Sequence, residues 1–424
     1  MSNAKVWILN VGEPMAVDQQ SERQLRMGLI ADALVARGCD VTWWTSSFDH
    51  NYKRQRYDAD KRVSLGKRYV LHFLHARPYS FNISLGRLVN HRQLGKAFER
   101  HANETTAQDR PDVIFATMPI VELAAAASRY GRKHSIPVVI DVRDLHPDIY
   151  LTLVPQFARP LAKVALGMMY RELRTSLRFA TSIIAIAPSF LEWALRHAGR
   201  LMTERDAVFP LAYPEIHALP QEVNVAAEEL RAMGVRADKK ILWYVGTFNR
   251  WIDLETPIEA ARLLAKAGNE DFQLVISGSG DFDEKWRALA AGLPNVVFTG
   301  WIGVPHIIGL RGIAWAGLAP YRQGFNTVGN KLFEYMAGRL PILLSIGGDA
   351  RAMIQRHDCG LGYTAGKPET LITSIESMAS DGVRERMAAN SLNAYRDNYS
   401  AVTVYPKMID HVLSLAERGV PVGA

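Results

Sequence analysis

The chain has 424 residues, 48% of them hydrophobic and 22% charged, which allows two domains with sizeable cores and excludes a disordered or fibrous protein. Fifty Lys and Arg against 43 Asp and Glu give a formal charge of +7, suited to phosphorylated substrates or an anionic membrane. The basic residues are dispersed and no recognition motif accompanies them, so nucleic acid is excluded as a partner.

Residues 6–11 read as an apolar strand, 24–37 as a helix closed by Gly38, and 41–45 as a second strand. This is a Rossmann-like beginning, and Glu13 stands in the loop beyond the first strand end, where such sheets hold ligands. It reads either as a solvated loop carboxylate or as an acceptor contact. The run WWTSSFDHNYKRQRYDADKR reads as a long polar loop, with Trp43 and Trp44 half in the core and the KRQR cluster solvated. Residues 77–101 interleave aromatics with Arg77, Arg87, Arg92, Lys96 and Arg100. Leu85, Leu88 and Val89 share a helical face there, either a packed helix with basic edges or one that lies on a membrane surface.

Strands follow at 112–117 and 137–142 around a helix at 120–134. The second of these strands runs into DVRDLHPDIY, gathering Asp141, Arg143, Asp144 and His146 at a ligand-binding strand end. Asp144 paired with Arg143 in a structural turn is the alternative reading, and Asp148 suits a helix cap. Residues 158–180 read as one basic helix, 182–187 as a strand, and 209–222 as a Pro-rich linker at the domain boundary.

The second domain opens with a strand at 241–245, then a glycine turn and helix, GTFNRWIDLETPIEAARLL, which could cradle a phosphate. Gly278 and Gly280 follow the next strand and let a backbone approach a ligand closely. The most informative run is 321–345, YRQGFNTVGNKLFEYMAGRLPILLS. Residues 322–330 read as a loop, Asn330 as an N-cap, LFEYMA as helix and 342–345 as a buried strand. Leu332, Phe333, Met336 and Ala337 form one face of that helix, and Lys331, Glu334 and Tyr335 the other. The helix start favours a phosphate, and Glu334 one turn in suits neutral sugar hydroxyls.

The segment GNKLFEYMAGRLPI resembles the nucleotide-sugar motif of family 4 retaining glycosyltransferases. The resemblance implies the GT-B fold: α/β, two Rossmann-like domains whose parallel sheets face a central cleft. It implies residues 1–213 as the acceptor domain, 214–399 as the nucleotide-sugar domain, and a last helix, about 400–424, returning to the first. By the same resemblance Glu334 holds the nucleotide ribose, and Asn326 stands where the family carries a donor-sugar glutamate. Gly246, Thr247, Phe248, Arg250, Gly278, Gly280, Thr327, Gly329, Asn330 and Lys331 would surround the donor, with Trp301 or the Ile302 backbone against the base. The family's diphosphate-holding Arg and Lys are replaced by Thr247 and Asp253, so Arg250 and Lys331 are the substitutes. An (E/D)-x-R-D-L-x-P segment makes Asp144 and His146 acceptor-activating or sugar-contacting groups, with Glu13 and Arg143 on the acceptor.

The implied reaction moves a sugar, hexosyl or N-acetylhexosaminyl, from a UDP-, GDP- or TDP-sugar to a lipid-linked saccharide of bacterial surface polysaccharide. No metal or resident cofactor is expected, since the chain has no His/Cys cluster and the resemblance is to metal-independent enzymes. A nucleotide-sugar 2-epimerase and a non-catalytic nucleotide-sugar or lipid-binding scaffold remain alternatives on the same fold. Two separated cysteines, no visible signal peptide and no apolar run of about 18–20 residues suit the cytoplasm, and the resemblance together with the basic first domain implies a place peripheral to the inner face of the membrane.

Overall fold

The computed structural model describes residues 4–18, 24–81 and 83–418. The chain divides into two compact units, Met1–Pro210 with Tyr405–Ala424, and Leu211–Val404.

The first unit is built on an eight-stranded sheet. Its strands are β1 (Lys5–Leu9), β2 (Asp40–Ser46), β5 (Lys61–Gly66), β6 (Tyr69–Leu74), β7 (Val113–Thr117), β8 (Val138–Val142), β9 (Ser182–Ala185) and β10 (Ala207–Val208). The order is β10-β9-β8-β7-β1-β2-β6-β5, parallel throughout except for the β5–β6 pair. Strands β7, β8 and β9 are buried at every residue, as expected of parallel strands covered on both faces. Helices α1 (Arg26–Ala36), α2 (Leu85–Glu104) and α3 (Val121–His134) supply part of that cover. Trp7, Trp44, Phe98 and Tyr130 interlock at centroid distances of 5.0 to 6.2 Å, so Trp44 is full core rather than half.

The stretch expected to be a long polar loop is structured. It forms a small antiparallel hairpin, β3 (Phe48–Asp49) with β4 (Arg54–Gln55), and then enters β5. The KRQR cluster is not solvated as a whole. Arg56 is nearly buried, with Nε 2.7 Å from Asp18 and Nη2 3.0 Å from Asp49, and these carboxylates give it a reason to fold inward. The single basic helix expected over 158–180 is two, α5 (Arg159–Ala165) and α6 (Gly167–Arg178), preceded by the short α4 (Asp148–Leu151). Helix α7 (Pro188–Ala198) follows β9.

The second unit carries a six-stranded, wholly parallel sheet. Its strands are β11 (Lys240–Val245), β12 (Phe272–Ser277), β13 (Val296–Gly300), β14 (Ala314–Ala319), β15 (Ile342–Leu344) and β16 (Gly360–Gly362). The order β13-β12-β11-β14-β15-β16 reverses direction between β11 and β14. In doubly wound sheets that reversal opens a crevice beyond the carboxyl strand ends, where ligands bind. Helices α8 (Pro220–Ala232), α9 (Glu255–Lys266), α10 (Asp283–Leu289), α11 (Val304–Ile313), α12 (Asn330–Ala337), α13 (Gly348–Arg356), α14 (Pro368–Met378) and α15 (Val383–Ala394) accompany it. Helix α16 (Ala401–Arg418) begins in the second unit and continues into the first; residues 419–424 of the expected last helix lie outside the described residues.

Candidate functional site

In the second unit the loops after β11 and β14 are laced together. Ile252 and Tyr321 form an antiparallel bridge, Arg322 N donates to Trp251 O at 2.9 Å, and Trp251 stacks on Phe325 at 4.8 Å. Gly246, Gly278 and Gly280 have φ of 147°, 141° and 150°. A Cβ at Gly278 would stand 1.9 Å from the Gly246 carbonyl oxygen, and one at Gly280 would stand 2.4 Å from that of Phe248. Only glycine allows the strand ends to converge this closely. Phe248 itself is fully buried, with its ring against Trp286 at 5.2 Å and its N–H donated to Ser279 O. Its side chain belongs to the core.

Lys331 enters this glycine cradle from the first turn of α12. A Cβ on Gly246 would lie 3.4 Å from its Nζ, and the ammonium sits 4.2 Å from the Tyr244 ring centroid and 4.8 Å from that of Tyr321. Among the described residues it has no carboxylate partner, and burial pushes its pKa down to about 7. The two aromatic faces support the cation but do not neutralise it. Sequence reading missed both rings, since neither belongs to the motif.

The helix start differs in detail from its expected form. Gly329 is the N-cap, with extended backbone and no side-chain cap, and Asn330 is the exposed first helical residue. A Cβ on Gly329 would lie 2.5 Å from the Tyr321 hydroxyl, so this turn too is closed down on an aromatic side chain. Tyr335 leaves the polar face: it is fully buried, donates from its hydroxyl to Leu318 O at 2.8 Å and accepts from Val245 N at 3.1 Å. Glu334 is buried and accepts from Arg311 Nε at 2.5 Å; Arg311 in turn lies 5.1 Å from the Tyr213 ring centroid. Asn326 lies beside the start of α13, its Oδ1 3.2 Å from where a Gly348 Cβ would be. Thr327 is half-buried, while Thr247 and Arg250 are exposed, Arg250 lying 5.4 Å from the Trp251 centroid. Trp301 is 75% exposed just past β13, and Ile302 beside it is buried. Asp253 is buried, accepting from Thr256 N and from Thr256 Oγ1 at 2.6 Å. It thus starts α9, a task that a lysine could not perform.

In the first unit the groups expected to gather after β8 separate into pairs. Asp141 takes Arg26, with Nε–Oδ2 at 3.0 Å and Nη2–Oδ1 at 3.3 Å, both groups buried. Arg143 pairs with Glu13 at 2.7 Å rather than with Asp144. Glu13 is not a solvated loop carboxylate: it is buried and also accepts from Asn10 Nδ2 and from Met27 N at the start of α1. Asp144 faces His146, Oδ2 to Nε2 at 3.5 Å, and burial lowers the His146 pKa against the pull of Asp144. Asp148 does not cap a helix. It accepts from Trp193 Nε1 at 2.7 Å and from the Tyr170 hydroxyl, and its pKa falls to about 2 because those bonds and His197 outweigh desolvation.

Residues 239–381 match the family model described as "Glycosyl transferases group 1". No curated protein matches the chain by sequence. Among solved structures, the chain is similar to a sucrose-phosphate synthase from Thermosynechococcus elongatus (TM-score 0.73, 17% identity, covering 98% of this chain and 100% of that one). It is also similar to HepE from Anabaena in complex with UDP (TM-score 0.65, 16% identity, 97% and 100% covered). A third is WaaG, a glycosyltransferase involved in lipopolysaccharide biosynthesis (TM-score 0.63, 16% identity, 96% and 99% covered). These likenesses span the whole chain and establish the GT-B fold, which the motif resemblance had implied. Among the described residues no three His, Cys, Asp or Glu side chains gather as a metal would require.

Proposed function

We propose that the protein is a retaining glycosyltransferase of family 4 that moves a sugar from a nucleotide-sugar to a lipid-linked saccharide in surface-polysaccharide synthesis. The observation that carries this reading is the Lys331 ammonium, flanked by two tyrosine rings against the Gly246 turn with no carboxylate partner among the described residues. A half-buried cation so placed is matched by a diphosphate. Preorganised charge of this kind stabilises a departing diphosphate in the transition state, an effect typically worth about 3–4 kcal/mol per donor removed.

In this reading the glycine turns at Gly246, Gly278 and Gly280 let the backbone close on the diphosphate, with Arg250 at the rim. Glu334, already balanced by Arg311, accepts the ribose hydroxyls without setting a bare charge beside the phosphates. Trp301 and Ile302 lie past the third strand end for the base. Asn326 and Thr327 take the sugar, and the amide offers hydrogen bonds where a carboxylate would offer charge. Asp144 with His146 receives the acceptor proton, and the transfer runs without a metal ion. That HepE is solved with UDP makes a uridine nucleotide the first donor to try.

Peripheral attachment to an anionic membrane is part of the same proposal. No helix of the described residues is long and apolar enough to cross a bilayer. Phe157, Leu161 and Val164 are nevertheless 87%, 75% and 77% exposed beside the exposed Arg159 and Lys163. Such a surface suits the boundary of a lipid layer.

The test is a thermal-stability screen against UDP, GDP, TDP, ADP and their sugars for wild type, Lys331→Gln and Glu334→Gln. A ligand at 100 times its dissociation constant stabilises by about 2.7 kcal/mol. One nucleotide stabilising the wild type and neither variant supports the donor site. No response to any nucleotide sinks it.

A further inference from the structure

Outside the pairs already described, the first unit holds a second concentration of cationic and imidazole groups drawn from separate chain segments. The β3–β4 hairpin tip brings His50 and Lys53, α2 brings Arg87 and His91, and the turn after β8 brings His146. Lys53 Nζ is 3.3 Å from His50 Nδ1 and 5.1 Å from the Tyr79 centroid, and His50 Nδ1 is 2.6 Å from the Tyr79 hydroxyl. Arg87 Nε donates to His91 Nε2 at 3.3 Å. The Arg87 charge acts on Lys53 and on all three histidines, and with burial it favours their neutral forms. Burial drives His50 to about 4 and His91 well below its ordinary value.

Carboxylates border the cluster, and Asp49 pulls the pKa values of His50 and Lys53 upward against burial. Asp49 is 3.0 Å from Arg56, and burial raises Glu122, 3.8 Å from His91, to about 7. Asp144 Oδ2 lies 3.5 Å from His146 Nε2. His91 Nδ1 and His146 Nδ1 are buried with no hydrogen-bond partner among the described residues. His50, Lys53 and Arg87 are half-buried, so the cluster is reachable from solvent. A guanidinium, an ammonium and imidazoles with open nitrogens make a donor set fit for a phosphate.

We propose that Arg87, Lys53, His50, His91 and His146 seat a phosphate or diphosphate carried by the acceptor. The inference rests on reading the first unit as the acceptor side, and it names the acceptor's chemistry. The group could belong to a membrane-borne lipid diphosphate or to a free sugar phosphate. The apolar lip beside Arg87, where Leu85 is 80% exposed and Phe81 74%, favours the lipid.

The experiment uses the full chain saturated with the nucleotide found in the donor screen, so that the donor site is filled. Pyrophosphate is titrated into protein carrying ¹⁵N-histidine, with His91→Gln and His146→Gln assigning the imidazole signals. Those signals are expected to move on binding, and Arg87→Ala is expected to weaken binding at least tenfold while Arg87→Lys restores part of it. Unmoved signals with the nucleotide response intact would overturn the phosphate seat and leave the donor reading standing. Loss of the nucleotide response itself overturns both. Glucose 6-phosphate and farnesyl diphosphate in phosphatidylcholine vesicles then compete against pyrophosphate. Displacement by either at lower concentration than inorganic phosphate supports the seat and names its source. Displacement by neither refutes an acceptor role.

Discussion

Arg311 and Glu334 form a largely buried ion pair between the motif helix and the helix before it, Nε to Oε1 at 2.5 Å. The motif glutamate is therefore charge-balanced before any ligand arrives. Removing one partner of a buried pair costs roughly 3–5 kcal/mol, because the other charge stays behind in a poor solvent. Arg311→Ala is expected to lose stability in that range by chemical denaturation. Glu334→Gln should lose less, since the amide keeps the shape and can still accept a hydrogen bond. Equal stability of Arg311→Ala and wild type would mean that the pair is dispensable, and Glu334 would then need another explanation for its burial.

The Lys331 pKa predicts a proton linkage. In the folded protein the ammonium loses its proton at about 7, well below its ordinary value, because burial opposes the charge. A bound diphosphate favours the charged form and raises that pKa. Binding should therefore take up a proton at pH 8, and affinity should fall as pH rises above 7, by up to roughly tenfold per pH unit, until the pKa of the complex is reached. Without ligand the sign for stability is opposite to that of a paired lysine. Charging is penalised in the fold, so this group's penalty fades as pH rises from 7 toward 10.5. Calorimetry in buffers of different ionisation enthalpy measures the uptake. Lys331→Gln should remove the excess relative to wild type, and an unchanged uptake would show that the proton goes elsewhere.

Much of this site was readable because the motif is local. The helix of 330–337, the strand after it and the glycines beyond β11 and β12 follow from turn formers and apolar periodicity within a few residues. What sequence could not supply were contacts between distant segments. Tyr244 and Tyr321 flank Lys331 from two different strand ends, and Arg311 meets Glu334 from the preceding helix. Glu13 looked like a loop carboxylate because its partner, Arg143, is 130 positions away. Asp253 looked like a lost lysine, yet it starts α9 through Thr256, three residues on. The hairpin of 48–55 was hidden by its charge, which pairs inward with Asp18 and Asp49.

The glycine turns make a graded prediction. Gly324 has φ of 79°, and a Cβ there would meet nothing within 4 Å, so alanine faces only the backbone penalty, about 1–2 kcal/mol. Gly278 adds a clash with the Gly246 carbonyl at 1.9 Å, a contact that backbone cannot yield cheaply. Gly278→Ala is expected to cost more than about 4 kcal/mol and to abolish the nucleotide response, whereas Gly324→Ala keeps it. Similar melting temperatures for the two would mean that the strand ends do not close as described.

The exposed apolar ridge of the first unit makes the last prediction. Phe157, Leu161 and Val164 give no stability to the fold where they stand, being 75% exposed or more, so replacing them should leave the melting temperature nearly unchanged. Full burial of one such side chain in a lipid layer is worth about 1.5–3 kcal/mol, and each basic neighbour adds about 1 kcal/mol on an anionic surface. A Phe157→Asp, Leu161→Asp, Val164→Asp triple variant should therefore bind phosphatidylglycerol vesicles at least tenfold more weakly in a flotation assay. High salt should weaken the wild type too, because the electrostatic share is screened over about 10 Å at 0.1 M. Wild-type protein that ignores anionic vesicles would remove the membrane from the proposed function while leaving the donor chemistry of Lys331 untouched.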